Sequence, residues 1–218
     1  MKSLEFIKNL DLKRYKIPSG EITNLPYLRF VGLQNKPIIL STGMANISEI
    51  REALNILNIT GTNSEKITLL HCTTEYPAPF KEINLRAMKT IRKTFSTKVG
   101  YSDHSLGFEV SIAAVAMGAS IIEKHLTLDS NLEGPDHKAS LEPREFHELV
   151  KLIRNTSSAL GSREKKVSDV ELRNRTLVRK SIFAKKDIKK GELVSEDNLC
   201  AKRPGNGLSP MIWDQLIG

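Results

Sequence analysis

The stretch from Ile67 to His104 reads ITLLHCTTEYPAPFKEINLRAMKTIRKTFSTKVGYSDH, and its pattern decides the fold. It starts with one short apolar run, Ile67–Leu70, and a second, Lys98–Tyr101, lies near its end; polar residues follow each run at once. Continuous rather than alternating apolarity is typical of a strand that is covered on both faces. A helical pattern separates the two runs, so the stretch predicts a strand–helix–strand unit of a parallel sheet.

The same unit recurs over the first 160 residues. Five runs are predicted as strands: Arg14–Ile17, Pro37–Leu40, Ile67–Leu70, Lys98–Tyr101 and Ser120–Glu123. Helices are predicted after Asn46, where Glu49 completes a capping box, and after Pro143, a good first-turn residue. A complete (β/α)8 barrel needs ~250 residues. Residues 1–160 therefore predict part of an α/β barrel, with an open doubly wound sheet as the alternative.

The composition changes after Leu160. Residues 161–175 are polar and charged and are predicted as a linker, and residues 176–218 as a small β-rich domain that is incomplete. Its expected strands are Ser181–Ala184 and Glu192–Val194, followed by a helix-like segment at Met211–Ile217.

Composition and charge exclude several classes of function. The net charge is +8, but the basic residues are dispersed and aromatic residues make up 6%, which argues against stacking on single-stranded nucleic acid. No apolar run approaches the ~20 residues that cross a bilayer, and the first residues lack the apolar core of a signal peptide. Cys72 and Cys200 stand in no metal or redox spacing, which suits a reducing compartment. We therefore expect a cytoplasmic protein that binds neither nucleic acid nor membranes.

Polar side chains follow each predicted strand. Because the carboxyl ends of parallel strands meet at one mouth, these side chains should converge there. Hydroxyls, a lysine and histidines are less typical of a merely solvated rim, where Asp, Asn and Gly prevail. The candidates are Lys16, Ser19, Ser41, Thr42, His71, Thr73, Thr74, Ser102, Asp103, His104 and His125.

Two chemistries are suggested by these residues. His104 and His125 follow consecutive strands, so their imidazoles can converge on a divalent metal ion, or they can be hydrogen-bonded structural histidines. Lys16 and the serines offer an ammonium and hydroxyl donors to one anion. Glu21 is a candidate general base or a helix-starting acid. Asp136 can hold sugar hydroxyls or serve as an ordinary turn residue.

Taken together, the motifs resemble those of the N-acetylneuraminate (sialic acid) synthase family, which includes legionaminate synthases. The tail is similar to the antifreeze-like (SAF) domain of that family. The motifs run in order along nearly the whole chain: Tyr15-Lys-Ile-Pro-Ser-Gly-Glu21, Ile39-Leu-Ser-Thr-Gly-Met44, Leu70-His-Cys-Thr-Thr-Glu-Tyr-Pro77, Gly100-Tyr-Ser-Asp-His104, Ile122-Glu-Lys-His125, Gly134-Pro-Asp-His137 and Lys202-Arg-Pro-Gly-Asn-Gly207.

The resemblance implies a TIM barrel followed by the small domain, assembled as a domain-swapped homodimer. It implies condensation of phosphoenolpyruvate with N-acetylmannosamine and water, giving N-acetylneuraminate and phosphate. Catalytic roles fall on Glu21, His104 and His125, and the two histidines hold a divalent metal, typically Mn²⁺. A substrate such as N-acetylmannosamine can be replaced by the related sugar of the legionaminate pathway.

Substrate contacts are also implied by the resemblance. Phosphoenolpyruvate is expected at Lys16, Ser19, Ser41, Thr74 and Ser102, and the sugar at Tyr76 and Asp136. Arg203 is expected to reach the site of the partner subunit.

One departure from the family pattern limits this expectation. The Glu-Ile-Gly and Lys-Phe-Gln segments of the family's first strands are absent, so low or no activity is expected of this chain by itself. An inactive remnant or a non-catalytic interaction module is the alternative. A 3-deoxy-heptulosonate-type synthase is a third possibility, and the Lys202–Gly207 tail argues against it.

Overall fold

A computed structural model describes residues 2–218 of the chain, with side chains from Leu4 onward. The chain divides into two compact units, one that ends at Gly161 and one that spans Ser162–Gly218. Each helix within residues 2–218 is too short or too polar to cross a bilayer.

The first unit is built on a five-stranded parallel sheet. Its strands follow one another in chain order, and every neighbouring pair is parallel. A doubly wound sheet reverses its strand order, so the sequential order excludes that alternative and confirms the partial barrel. The strands are β1 (Tyr15–Ile17), β2 (Ile38–Ser41), β3 (Ile67–Cys72), β4 (Lys98–Asp103) and β5 (Ile122–Lys124).

Helices precede, connect and follow these strands. Asn46 caps α3 (Ile47–Ile59) by accepting hydrogen bonds from the backbone of Ser48 and Glu49. The Glu49 side chain accepts from the Asn46 backbone, so the predicted capping box is confirmed. Pro143 is the first residue of α6 (Pro143–Leu160), as predicted. The helices are α1 (Lys2–Lys8), α2 (Leu25–Gly32), α3 (Ile47–Ile59), α4 (Ala87–Phe95), α5 (Glu109–Ala116) and α6 (Pro143–Leu160).

The two faces of the sheet differ in chemistry. Since side chains alternate along a strand, every second residue packs against the helices, and these residues form the buried core. This core includes Ile17, Leu40, Leu69, Val99 and Tyr101. The opposite face carries a different set, Lys16, Ser41, Cys72, Ser102 and Glu123, which the strand register places on a common side.

The sheet is strongly curved. Lys16 on β1 and Glu123 on β5 belong to its two outer strands, yet Lys16 Nζ lies 3.4 Å from Glu123 Oε1. Four strand spacings of a flat sheet amount to ~19 Å, more than the two side chains can bridge. The sheet therefore curls as in a barrel, with its polar face on the inside.

The second unit contains a two-stranded antiparallel sheet. Strand β6 (Ser181–Ala184) is confirmed, but its partner is β7 (Leu199–Lys202), so the predicted strand at Glu192–Val194 is wrong. The backbone there is bound by a side chain instead, because Asn198 donates to Leu193 O at 2.9 Å and accepts from Ser195 N. Such local side-chain bonding competes with a strand ladder.

The segment predicted as a linker, 161–175, also differs from expectation. Helix α7 (Asp169–Val178) occupies its second half. Ser168 caps this helix and Glu171 completes a capping box, a signal that the sequence contained. Near the end of the chain, a 3₁₀ turn at Pro210–Ile212 leads into α8 (Trp213–Leu216), within the predicted helix-like segment.

Candidate active site

Three aromatic rings cluster where β4 and β5 end. His104 and His125 directly follow these strands, and their ring centroids lie 5.3 Å apart with the planes nearly perpendicular. Tyr76, from the loop after β3, lies 4.3 Å from the His104 ring and 5.5 Å from the His125 ring. The two imidazoles are therefore brought together at the mouth, as the sequence predicted.

The surroundings of His104 determine which ring nitrogen carries the proton. Its Nδ1 lies 2.7 Å from the carbonyl oxygen of Thr73, which can only accept, so Nδ1 is the donor. His104 is 6% exposed, and burial lowers its pKa, which favours the neutral imidazole. Neutral His104 thus keeps a lone pair on Nε2.

Ser102 leaves that lone pair free. Its Oγ lies 3.4 Å from His104 Nε2 but donates its proton to Glu123 Oε1 at 2.7 Å. A hydroxyl has one proton to give, so Ser102 cannot also donate to the imidazole. Nε2 of His104 is therefore available to a cation.

His104 and His125 fit a metal site at which the protein supplies only two ligands. Residues 2–218 contain no cluster of three or more His, Cys, Asp or Glu side chains arranged to hold an ion. A divalent ion would be held by His104 and His125 and would take its other ligands from water and substrate oxygens. Two imidazoles with oxygen ligands suit Mn²⁺, Fe²⁺ or Zn²⁺.

Hydroxyl groups gather beside this cluster around Gly43. A Cβ atom on Gly43 would lie 2.4 Å from Thr74 Oγ1 and 3.3 Å from Ser19 Cβ, so only glycine allows these side chains to approach. Ser41 is 3% exposed, and within residues 2–218 its Oγ has no hydrogen-bond partner. Buried polar atoms are normally paired, so this hydroxyl is suited to a ligand.

Glu123 connects the hydroxyl side to the imidazole side, and the sequence analysis missed it. Its carboxylate accepts from Ser102 and pairs with Lys16, and these residues share the inner face of the sheet. The sequence signal was present: Glu123 is an acid within an apolar run, two residues before His125 and therefore on the same face.

Two family profiles match the chain. The profile of the NeuB family matches residues 1–165, and that of the SAF domain matches residues 179–218. This chain belongs to the NeuB family. The SAF match also accounts for the second unit.

Similar proteins of the NeuB family include named synthases. It is 57% identical to the N,N'-diacetyllegionaminic acid synthase of Campylobacter jejuni over the whole chain and 65% of that protein. It is 47% identical to the enzyme of the same name from Legionella pneumophila, over 99% of the chain and 61% of that protein. The crystal structure of the N-acetylneuraminic acid synthetase from Leptospira borgpetersenii matches with a TM-score of 0.73 and 34% identity, over 80% of this chain and 60% of that one. The chain thus spans less than two thirds of the length of these relatives.

Other predicted site residues of the NeuB-family chain lie apart from the rings or at their edge. Glu21 accepts from Asn24 Nδ2 at 2.5 Å, at the start of α2, which matches its alternative reading as a helix-starting acid. Asp136 Oδ2 lies 3.8 Å from His125 Nδ1, beyond hydrogen-bond length. Arg203 belongs to the second unit, where its Nε donates to Val178 O at 2.8 Å.

Four residues of the predicted rim have structural partners instead. His71 and Asp103 are one residue out of phase with Cys72 and Ser102, so they face the helices. His71 Nε2 contacts Ile83 O at 2.8 Å, and His71 lines a cavity of about 750 Å³ between α3 and α4. The hydroxyls of two others donate to backbone carbonyls: Thr42 to Leu70 and Thr73 to Glu82.

His71 and His104 predict how the stability of the first unit depends on pH. Burial lowers the pKa of His71 and of His104 in the folded protein, whereas histidines in the unfolded chain titrate near 6.5. As the pH falls below about 6.5, the unfolded state binds protons first, so the free energy of unfolding should decrease. We expect the melting temperature to fall between about pH 7.5 and 5.5, and His71→Gln to weaken this dependence.

The control for this prediction is His147→Gln, since His147 is exposed on α6 and should leave the dependence unchanged. Melting temperatures measured by circular dichroism at several pH values provide the test. If the melting temperature changes with pH equally in the wild type and in His71→Gln, burial of His71 does not contribute to the pH dependence of stability.

Proposed function

We propose that the mouth of this partial barrel is the site at which phosphoenolpyruvate condenses with an N-acylated amino sugar to give a nonulosonic acid and phosphate. The observation that carries the proposal is the convergence of His104 and His125 with the Lys16–Glu123–Ser102 network on the inner face of one sheet. The sequence identity to two legionaminic acid synthases supports the same class of reaction. The SAF match favours it over a 3-deoxy-heptulosonate-type synthase.

Phosphoenolpyruvate is proposed to bind through its anionic groups. Lys16 offers an ammonium, and the hydroxyls of Ser19, Ser41 and Thr74 offer hydrogen-bond donors. Ser102 can donate to the anion once it gives up its hydrogen bond to Glu123. In the structure, Lys16 is neutralised by Glu123, so the phosphoenolpyruvate anion would take the place of that carboxylate as the partner of Lys16. The Lys16 ammonium can thus pair with Glu123 in the free protein and with phosphoenolpyruvate in the complex.

The sugar is proposed to lie on the side of the aromatic cluster. Tyr76 offers a ring face and a hydroxyl beside both imidazoles, and Asp136 offers a carboxylate near His125. A Mn²⁺ ion held by His104 and His125 would act as a Lewis acid on a substrate oxygen. The similarity to legionaminic acid synthases favours a legionaminate-type sugar, with N-acetylmannosamine as the close alternative.

The proposed reaction forms one carbon–carbon bond and releases phosphate. Carbon 3 of phosphoenolpyruvate forms a bond with the aldehyde carbon, whose oxygen takes up a proton. Water adds to carbon 2 and loses one proton. The bond between carbon 2 and the phosphate oxygen then breaks, the remaining hydroxyl proton passes to the departing phosphate, and carbon 2 becomes the ketone carbon of the product. Glu123 lies beside Lys16 and Ser102 and is suited to accept the proton of that water, whereas Glu21 would first have to leave Asn24.

We extend the proposal to the assembly and its location. A domain-swapped homodimer would bring Arg203 of each chain to the other chain's site. Cys72 and Cys200 are both free thiols, which supports the expected reducing cytoplasm.

The test measures phosphate release from phosphoenolpyruvate by the purified, Mn²⁺-loaded chain, with and without N-acetylated amino sugars. We expect slow release that requires the sugar, and we expect Lys16→Met to abolish it because the phosphate loses its ammonium partner. Lys13→Met, which removes an exposed lysine nearby in the sequence, is the control and should release phosphate as the wild type does.

Binding of phosphoenolpyruvate, followed by ³¹P NMR, distinguishes an inactive remnant from a chain that lacks the proposed site. Folded protein that binds phosphoenolpyruvate through Lys16 but releases no phosphate would support the inactive remnant. Folded protein that does not bind phosphoenolpyruvate at all would contradict the proposed site.

A further inference from the structure

A buried ion pair lies one residue before each of the two proposed metal ligands. Lys124 Nζ is 3.1 Å from Asp103 Oδ2, and the two side chains are 1% and 0% exposed. They point toward the helices, on the opposite face of the sheet from His104 and His125. The proposed reaction uses neither charge.

The pair is enclosed by hydrogen bonds. Asp103 Oδ1 accepts from the backbone and the hydroxyl of Ser105, and Oδ2 accepts from Ser111 Oγ at 2.6 Å. Lys124 Nζ donates to Ser105 O. The cluster thereby joins the ends of β4 and β5 to the first turns of α5, so its geometry is fixed from three sides.

The position of the pair matters more than its contribution to stability. A buried ion pair contributes little net stability compared with an apolar pair of similar size, because desolvation offsets the attraction; it can instead specify geometry. Asp103 and Lys124 form the last pairing of the β4–β5 ladder, and the chain leaves the sheet at His104 and His125. Strand β5 has only three residues, so few other pairings fix its end.

A backbone contact on the other side of β5 holds His125 but does not fix the end of β5 relative to β4. Leu141 N donates to His125 O at 2.9 Å, which ties His125 to the segment before α6. That hydrogen bond holds the His125 backbone but makes no connection to β4. On the inner face Ser102 also donates to Glu123 across the two strands, and the Asp103–Lys124 pair is the link between the same strand ends on the helix-facing side.

We propose that Asp103 and Lys124 are positioning residues that set the distance between His104 and His125 for metal binding. The inference rests on the proposed metal site. The pair acts through the imidazoles and does not touch substrate.

The test uses the double variant Asp103→Asn/Lys124→Met, which keeps similar side-chain sizes and removes both charges together. We expect a melting temperature close to that of the wild type and a Kd for Mn²⁺ raised about tenfold or more, as for other residues that orient metal ligands. We also expect faster amide hydrogen exchange in residues 122–127. Lys124→Met alone should lower the melting temperature more than the double variant, because it leaves a buried carboxylate unpaired.

The matched control is Asp11→Asn/Lys36→Met, which removes an ion pair of 2.6 Å whose aspartate is 95% exposed. It should change neither the Kd nor the exchange in residues 122–127. A double variant at positions 103 and 124 that binds Mn²⁺ like the wild type would overturn the proposal, even if its melting temperature falls, since a purely structural pair would give that result.

Two further measurements keep the outcomes distinct. If the double variant does not fold, Ser111→Ala removes one hydrogen bond to Asp103 and should raise the Kd less, by about two- to tenfold; wild-type affinity would then overturn the proposal. If the wild type itself binds no Mn²⁺, the proposed metal site fails. In that case amide hydrogen exchange is the remaining test of the positioning role. Exchange in residues 122–127 that is the same in the double variant and the wild type would overturn it.

Discussion

Replacing His125 by alanine is expected to raise the Kd for Mn²⁺ by about 100-fold or more, because it removes one of two imidazole ligands rather than a group that orients one. The fold should tolerate the change. The His125 side chain is 31% exposed and lies 3.8 Å from Asp136, so its loss breaks no buried hydrogen bond. Titration of the chain with Mn²⁺, followed by electron paramagnetic resonance, measures the affinity, and thermal unfolding measures the stability.

His147→Ala is the matched control, since it removes an exposed imidazole from α6, away from the strand ends. It should leave Mn²⁺ binding unchanged. Equal affinities for wild type and His125→Ala would remove the metal assignment, whereas a loss in both variants would indicate nonspecific binding to surface histidines.

Gly100→Ala is expected to be the most destabilising single-methyl addition to the sheet. A Cβ there would lie 2.5 Å from the carbonyl oxygen of Ile121 and 2.6 Å from Leu70 Cδ2, both far inside normal contact. That carbonyl accepts a hydrogen bond from Tyr101 N, so relief of the clash must separate β4 from β5. We expect a loss of about 3 kcal/mol and a fall in melting temperature of roughly 6–12 °C.

The same change should weaken Mn²⁺ binding, because His125 is carried by the strand that would move. Gly20→Ala is the control: no atom lies within 4 Å of a Cβ at that position, so stability and affinity should both stay at wild-type values. A Gly100→Ala variant as stable as the wild type would show that the strands adapt without separating.

Local signals in the sequence predicted the elements of the barrel but not the partners of every residue. All five strands lie within two residues of their predicted positions, because a continuous apolar run depends only on local composition and burial. The strand at Glu192–Val194 was predicted by the same rule and does not form. Asn198, several residues further along, binds the backbone of that segment, and a local pattern contains no information about such a contact.

The candidate site shows the same division. The sequence predicted that His104 and His125 would meet, since both directly follow consecutive parallel strands. Glu123 was missed, and His71 and Asp103 were placed at the rim although they face the helices. Alternate residues of a strand face the mouth and the helices, so alternation separates Glu123 from His71 and Asp103. It can be applied only when it is known which face one residue of each strand occupies.

By itself, the sequence determined the number and direction of the barrel strands, the capping of α3, and the order in which functional residues reach the mouth. Those features depend on groups a few residues apart, whose interactions are the same wherever the segment lies. Only the tertiary structure decided that Lys16 meets Glu123 across the sheet, that Ser102 gives its proton to Glu123 and leaves His104 free, and that Asp103 and Lys124 pair behind the imidazoles. These contacts join groups 21 or more residues apart, and they exist because the curvature and register of the sheet bring distant parts of the chain together.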